Sequence, residues 1–91
     1  MPKELILTGR VQGVFCRKYC ADNAKKLKIR GSATNLHDGS VRVIIDTDDS
    51  KKISDFINAL KSNPFGINFY GRIDNISTSD YSGPIRGDYI F

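Results

Sequence analysis

Hydrophobic and polar residues alternate along parts of the chain with the period of a β-strand. The clearest case is residues 41–45, where Val41, Val43 and Ile45 alternate with Arg42 and Ile44. Residues 5–8 are apolar and are followed by a glycine, a pattern typical of a buried strand. Both segments therefore predict strands of a folded core.

Three further segments predict strands less regularly. Residues 29–35 carry small side chains in the middle, and residues 89–91 are short enough to form only a last, brief strand. Ile73 and Ile76 mark a fourth strand, but they are three residues apart. Because strict alternation needs an even spacing, this strand is predicted to contain a β-bulge.

Two segments have the helical period instead. The first predicted helix runs from about Phe15 to Lys28, and its apolar stripe consists of Cys16, Cys20, Ala24 and Leu27. The second has candidate N-caps at residues 48–50 and ends at Asn63–Pro64. Its apolar face consists of Ile53, Phe56, Ile57 and Leu60.

The order of these elements is β-α-β-β-α-β, with an Asp-Gly turn at residues 38–39 between the second and third strands. This order predicts an α+β fold of the ferredoxin-like βαββαβ type, in which both helices cover one face of an antiparallel sheet. The chain has 91 residues, so we expect residues 1–91 to form a single domain.

The composition indicates the class of protein and its partners. Hydrophobic residues make up 40% and charged residues 26%, which is typical of a globular protein. The sequence contains no run of about 18 apolar residues, so no membrane span is predicted. With no secretory signal pattern either, we expect a cytoplasmic monomer. The net charge of +4 favours anionic partners, although the cluster at residues 25–30 also suits a solvated helix end.

The residues that bind metals are few. Cys16 and Cys20 lie four apart, which puts them on one helix face and favours buried thiols over a disulfide. His37 is the only histidine, and we expect it in an exposed turn. We therefore expect no metal and no cofactor.

Cys16 is disfavoured as the nucleophile of a cysteine phosphatase. Arg17 follows it directly, so the two side chains cannot easily serve the same phosphate.

The most informative segment joins the first strand to the first helix, over residues 9–17. The N–H groups of a helix's first turn are unpaired, and the helix dipole adds partial positive charge there. Gly13 lacks a Cβ, so the backbone can approach a ligand closely, and Arg17 adds a guanidinium suited to two phosphate oxygens. These features predict an anion-binding loop, although many similar loops bind nothing.

This segment, GRVQGVFCR at residues 9–17, resembles the first signature of the acylphosphatase family, G-x-V-Q-G-V-x-F-R. Residues 31–41, GSATNLHDGSV, resemble the second, G-aromatic-x-x-N-x-x-x-G-x-V. Residues 71–76, the chain length and the predicted order of elements are also similar to this family. The resemblance therefore extends over nearly the whole chain, and two signatures are more specific than one.

The resemblance implies hydrolysis of an acyl phosphate to a carboxylate and inorganic phosphate. It implies that Arg17 and the loop amides hold the phosphoryl group, and that Asn35 orients the attacking water. The implied amides are those of Gln12, Gly13, Val14, Phe15 and Cys16. Phosphate or sulfate would also occupy this loop. We expect the side chain of Gln12 to shape the loop rather than to react.

Three residues depart from the signatures: Cys16 and Ser32 replace aromatic residues, and Thr47 replaces a glycine. The lost volume predicts a gap in the core, which Phe65, Phe69 and Tyr70 are candidates to fill.

Two other functions remain open at this stage. The stronger is a regulatory module that binds phosphate without turnover. The weaker is RNA binding by an exposed sheet face, but no segment matches the RRM pattern, so we expect no nucleic-acid partner.

Overall fold

The computed structural model describes residues 2–91. Its elements, in chain order, are β1 (Lys3–Arg10), α1 (Cys16–Lys26), β2 (Gly31–Asn35), β3 (Val41–Ile45), α2 (Ser50–Ser62), β4 (Arg72–Asp80) and β5 (Tyr89–Ile90). The β-α-β-β-α-β order and the short last strand are confirmed. The boundary of β2 differs from the prediction, because residues 28–30 close the end of α1 instead: the Ile29 N–H donates to the Ala24 carbonyl at 2.8 Å.

The strands form one sheet in the order β4-β1-β3-β2-β5, and every neighbouring pair is antiparallel. β3 therefore lies between β1 and β2, and the second strand is not the neighbour of the first. Asn35, at the end of β2, is therefore not brought to the loop after β1 by direct pairing of these two strands.

The predicted bulge is confirmed in β4. Thr8 pairs with Asn75 and Gly9 pairs with Ile73, so Asp74 is the extra residue on the β4 side. Gly9 has a φ of 126°, and a Cβ there would contact the Arg72 carbonyl oxygen and lie 2.8 Å from the Asp74 nitrogen. Only glycine fits this combination of backbone angle and close approach. The bulge thus explains both the irregular spacing in β4 and the glycine that ends the apolar part of β1.

The core lies between one face of the sheet and the two helices, as the fold class requires. Its sheet side includes Leu5, Val43 and Ala33, and its helix side includes Cys20 and Phe56. All five side chains are fully buried. Alternate residues of β1 and β3 face this layer, so the strand periodicity read from the sequence is the periodicity of burial.

Tyr19 connects the two helices inside the core. Its hydroxyl donates to the Leu60 carbonyl oxygen at 2.8 Å and lies 3.1 Å from that of Ala59, and its ring stacks on Phe69 with centroids 4.5 Å apart. Burial raises the pKa of Tyr19 to about 12, so the phenol stays protonated and can donate. Phe69 is partly buried and packs against the core, whereas Phe65 and Tyr70 are exposed.

The ends of α2 are set by local side chains. Asp49 is the N-cap, and its carboxylate accepts from the Lys51 N–H at 2.9 Å. The helix ends before Asn63, which adopts a left-handed φ of 48° ahead of Pro64. Both limits agree with the sequence prediction.

The other face of the sheet is partly covered by the segment that leads into β5. The Ser32 hydroxyl donates to the Arg86 carbonyl oxygen at 3.0 Å, and Ile44 on this face is fully buried. Ser32 is thus used as a hydrogen-bond donor under this segment.

Within residues 2–91, no helix has the length and apolar composition needed to cross a bilayer.

Candidate active site

The loop between β1 and α1 is shaped by two residues with left-handed backbone angles. Gly13 has a φ of 73° and Phe15, the N-cap of α1, a φ of 64°. Alternation of right- and left-handed residues turns successive N–H groups toward one side, which is the geometry of an anion-binding concavity. A left-handed phenylalanine is uncommon, since its Cβ costs roughly 1–2 kcal/mol in this conformation. The loop is therefore held in shape by its surroundings.

The donors of this loop are unpaired in the part of the chain that the structure describes. In the chain from residue 2 onward, the N–H groups of residues 12–16 make no hydrogen bond to a backbone or side-chain acceptor. Phe15 provides no side-chain cap, and the first turn of α1 has no acidic residue. The positive end of the helix dipole and the loop amides are thus both available to an anion.

The back of the loop is fixed by two neighbouring segments. The Val14 carbonyl oxygen accepts from the Tyr70 N–H at 3.2 Å. The Gln12 side chain donates from Nε2 to the carbonyl oxygens of Leu36 and Ser40, at 2.6 and 2.9 Å. Gln12 therefore ties the loop to the β2–β3 hairpin, which agrees with the shaping role expected of it.

Arg17 lies in the first turn of α1, and its side chain is 41% exposed. Its Nη1 lies 3.3 Å from Oδ2 of Asp88, just before β5. Asn35 ends β2, and its backbone N–H donates to the same Asp88 oxygen at 3.2 Å. The two residues predicted to act on the substrate are therefore brought together at one carboxylate oxygen, on the β5 side of β2.

Asp88 and its neighbour Tyr89 also belong to this site, although no pattern in the sequence predicted them. A cavity of about 420 Å³ lies over the loop, and its lining includes Gly13, Arg17 and Tyr89. The only hint in the sequence was the short strand predicted at residues 89–91, which carried no information about its partner strand. The pairing of Tyr89 with Ala33 is what places these residues at the loop.

Phe15 and Lys18 line both this cavity and an adjoining one of about 500 Å³ that also includes Ile67. Phe15 is 62% exposed and meets Tyr70 edge to face, with ring centroids 5.5 Å apart. Its ring thus forms a wall of the site, whereas Tyr19 belongs to the core. Lys18 pairs with Asp22 at 2.8 Å, and this hydrogen bond raises the pKa of Lys18.

The two cysteines are free and buried, as predicted. A hydrogen bond to Cys16 and burial raise the pKa of the Cys20 thiol well above its usual range, so this thiol stays protonated. The Cys16 side chain is only 2% exposed and packs in the core, and Cys16 also belongs to the lining of the cavity over the loop. Within residues 2–91, no three His, Cys, Asp or Glu side chains are grouped so as to hold a metal ion. His37 is exposed in the hairpin turn.

Comparison with known proteins identifies the family. The model of the acylphosphatase family matches residues 3–89. The chain belongs to the acylphosphatase family. An acylphosphatase of Caldanaerobacter subterraneus is 35% identical over 89 residues, which cover 96% of this chain and 93% of that protein. One of Lactococcus lactis is 29% identical over 89 residues, covering 94% and 92%.

Solved acylphosphatase structures have the same fold. The crystal structure of the enzyme from Bacillus subtilis superposes with a TM-score of 0.76 at 25% identity, covering 99% of this chain and 98% of that one. A structure from Coxiella burnetii gives a TM-score of 0.72 at 21% identity, with 96% and 86% coverage, and supports the ferredoxin-like fold.

Proposed function

We propose that this acylphosphatase-family protein hydrolyses acyl phosphates to a carboxylate and inorganic phosphate. The observation that carries the proposal is that a loop of unpaired N–H groups and Arg17 line one cavity, and that Arg17 and the Asn35 N–H contact the same Asp88 oxygen. The loop, Arg17 and Asn35 each correspond to a part of the two signatures.

The loop and Arg17 would hold the phosphoryl group. Its oxygens would accept from the N–H groups of residues 12–16 and from the guanidinium, which has five donors in a planar fork. Phosphoryl transfer depends mainly on positioning and on stabilising the charge of the equatorial oxygens. A fixed array of donors supplies both. Inorganic phosphate or sulfate would bind the same donors.

Asn35 would orient the attacking water, since a side-chain amide can both accept and donate a hydrogen bond. The water oxygen forms a bond to phosphorus, and the bond between phosphorus and the acyl oxygen breaks. The electron pair of that bond leaves on the carboxylate, and the water proton passes to phosphate or solvent. A carboxylate is a good leaving group, so the reaction as proposed needs neither a general acid nor a metal ion.

The setting of the reaction is also a proposal. We infer that residues 1–91 act as a single-domain cytoplasmic monomer on a small-molecule acyl phosphate, with no nucleic-acid or membrane partner. The chain length supports a single domain, the net charge of +4 suits an anionic small molecule, and no segment matches the RRM pattern.

The test is hydrolysis of benzoyl phosphate at neutral pH in EDTA. We expect turnover by the wild type, and a loss of at least about a hundredfold in Arg17→Ala and in Asn35→Ala. Arg17→Lys separates charge from the planar fork, and Arg72→Ala is the control for removing an exposed arginine elsewhere, since Arg72 pairs with Asp74 on β4. Circular dichroism confirms that each variant is folded.

The alternative is a module that binds phosphate without turnover. It would be supported by a wild type that binds phosphate but does not hydrolyse benzoyl phosphate. Full activity of Arg17→Ala would overturn the proposed role of the arginine, whichever function is correct.

A further inference from the structure

The Asp88 carboxylate occupies donors that an anionic ligand would otherwise use. One oxygen, Oδ2, accepts both from Nη1 of Arg17 at 3.3 Å and from the Asn35 N–H at 3.2 Å. Arg17 makes no other ion pair within the described part of the chain. The site therefore contains an anion of its own at the residue proposed to hold the phosphoryl group.

The backbone holds Asp88 at this place. Its N–H donates to the Thr34 hydroxyl at 3.2 Å, and the next residue, Tyr89, pairs with Ala33 in the sheet. Further along, Phe91 exchanges two backbone hydrogen bonds with Gly31, at 2.9 and 3.0 Å. The carboxylate is thus fixed beside β2, whereas Arg17 reaches it with a flexible side chain. Of the two partners, Arg17 is the one that can move away.

We propose that Asp88 competes internally with the phosphoryl group for Arg17, and that it thereby sets how tightly the site holds substrate and product phosphate. When a phosphoryl group binds, the guanidinium turns toward the loop and the pair with Asp88 is lost or weakened. When phosphate leaves, the carboxylate takes the guanidinium back. The proposal rests on the phosphate-binding role of Arg17 proposed above.

The contact is suited to reversible competition. It is a single hydrogen bond, its two side chains are 41% and 45% exposed, and exposed pairs of this kind are worth little. A stronger pair would block the site, and a much weaker one would have no effect. Replacing the Asp88 carboxylate by a neutral group also removes the repulsion between this carboxylate and a bound phosphate dianion. Together these effects predict tightening of phosphate binding by about three- to tenfold.

The test is Asp88→Asn, followed by titration with inorganic phosphate and detection by NMR. Because both donors contact the same oxygen, the Oδ1 atom of an asparagine can take its place and keep both hydrogen bonds while the charge is lost. The matched control is Asp55→Asn, which removes an equal charge from an ion pair with Lys51 on α2. The same two substitutions are also made in Arg17→Ala.

We expect Asp88→Asn to lower the Kd of phosphate about three- to tenfold, and the KM for benzoyl phosphate with it. The gain should shrink at high ionic strength, be absent from Asp55→Asn, and largely disappear in the Arg17→Ala background. An unchanged or weaker affinity in Asp88→Asn would overturn the proposal. So would an equal gain without Arg17, which would indicate general charge repulsion rather than competition.

The two proposals can fail separately. If wild type and Asp88→Asn bind phosphate with the predicted difference but neither hydrolyses benzoyl phosphate, competition stands and the hydrolase function fails. If both hydrolyse it with the same KM and Kd, the function stands and competition fails.

Discussion

The hydrogen bonds of Gln12 give the sharpest prediction about the loop. Its Nε2 group uses both hydrogens, one on the Leu36 carbonyl oxygen at 2.6 Å and one on that of Ser40 at 2.9 Å. Asn35 directly precedes Leu36, so the same side chain connects the anion-binding loop to the residue expected to orient water. Replacing it should affect both stability and turnover.

The size of the effect follows from the number of bonds. A net hydrogen bond in a protein contributes about 0.5–1.5 kcal/mol, so Gln12→Ala should lower the free energy of unfolding by about 1–2 kcal/mol after allowing for partial exposure. In a domain of this size that corresponds to a fall in Tm of roughly 4–15 °C. Gln12→Glu is nearly isosteric but has no N–H donors, and its carboxylate would face two carbonyl oxygens. It should be less stable than Gln12→Ala at pH 7.

The assay is thermal unfolding of the wild type and both variants at pH 7, with benzoyl phosphate hydrolysis measured well below the lowest Tm. If Gln12 acts through its two donors, Gln12→Glu is the worse variant in both measurements. A Gln12→Glu protein as stable and active as the wild type would refute the reasoning, because it would mean that the side chain contributes only its size.

Three other predictions concern the scaffold. Gly9→Ala should lower stability by about 2–4 kcal/mol because its Cβ would clash with the β4 backbone, whereas Gly13→Ala, which meets nothing within 4 Å, should cost only about 1–2 kcal/mol; urea unfolding compares them. Folded-state burial raises the pKa of Tyr19 to about 12, so its stabilising contribution should be lost as pH rises from 10 to 12, and the stability difference between wild type and Tyr19→Phe should shrink over that window. Asp49→Ala should cost about 1 kcal/mol through loss of the α2 cap, seen as a Tm lower by roughly 4–8 °C without a change in KM.

The sequence predicted best those elements whose signals are local. The alternation over residues 41–45 predicts the limits of β3 that the structure shows, because a period of two in hydrophobicity matches burial of one strand face. The bulge in β4 was readable from the spacing of Ile73 and Ile76, and the α2 cap from Asp49. In each case the residues that carry the signal are within a few positions of the structure that they form.

The sequence could not predict the parts of the site that depend on distant pairing. Asp88 contacts Arg17 only because β5 pairs with β2. A strand of two residues carries no sequence pattern that identifies the strand it pairs with. The order of strands also had to come from the structure, since β3 separates β1 from β2. The exposure of Phe15 was equally hidden, because its left-handed backbone turns an apolar residue outward at a helix start.

The position of β1 in the sheet has a consequence for how the chain folds as it is synthesised. β1 is made first, yet it lies between β3 and β4, and its first residue, Lys3, pairs with Asp80. The β2–β3 hairpin can form early, whereas the β4 edge of β1 stays unpaired until residues 72–80 have left the ribosome. Contacts between such distant residues slow folding, and an exposed strand edge favours association with other chains. A nascent chain is therefore most prone to aggregation after α2 has left the ribosome and before β4 has done so.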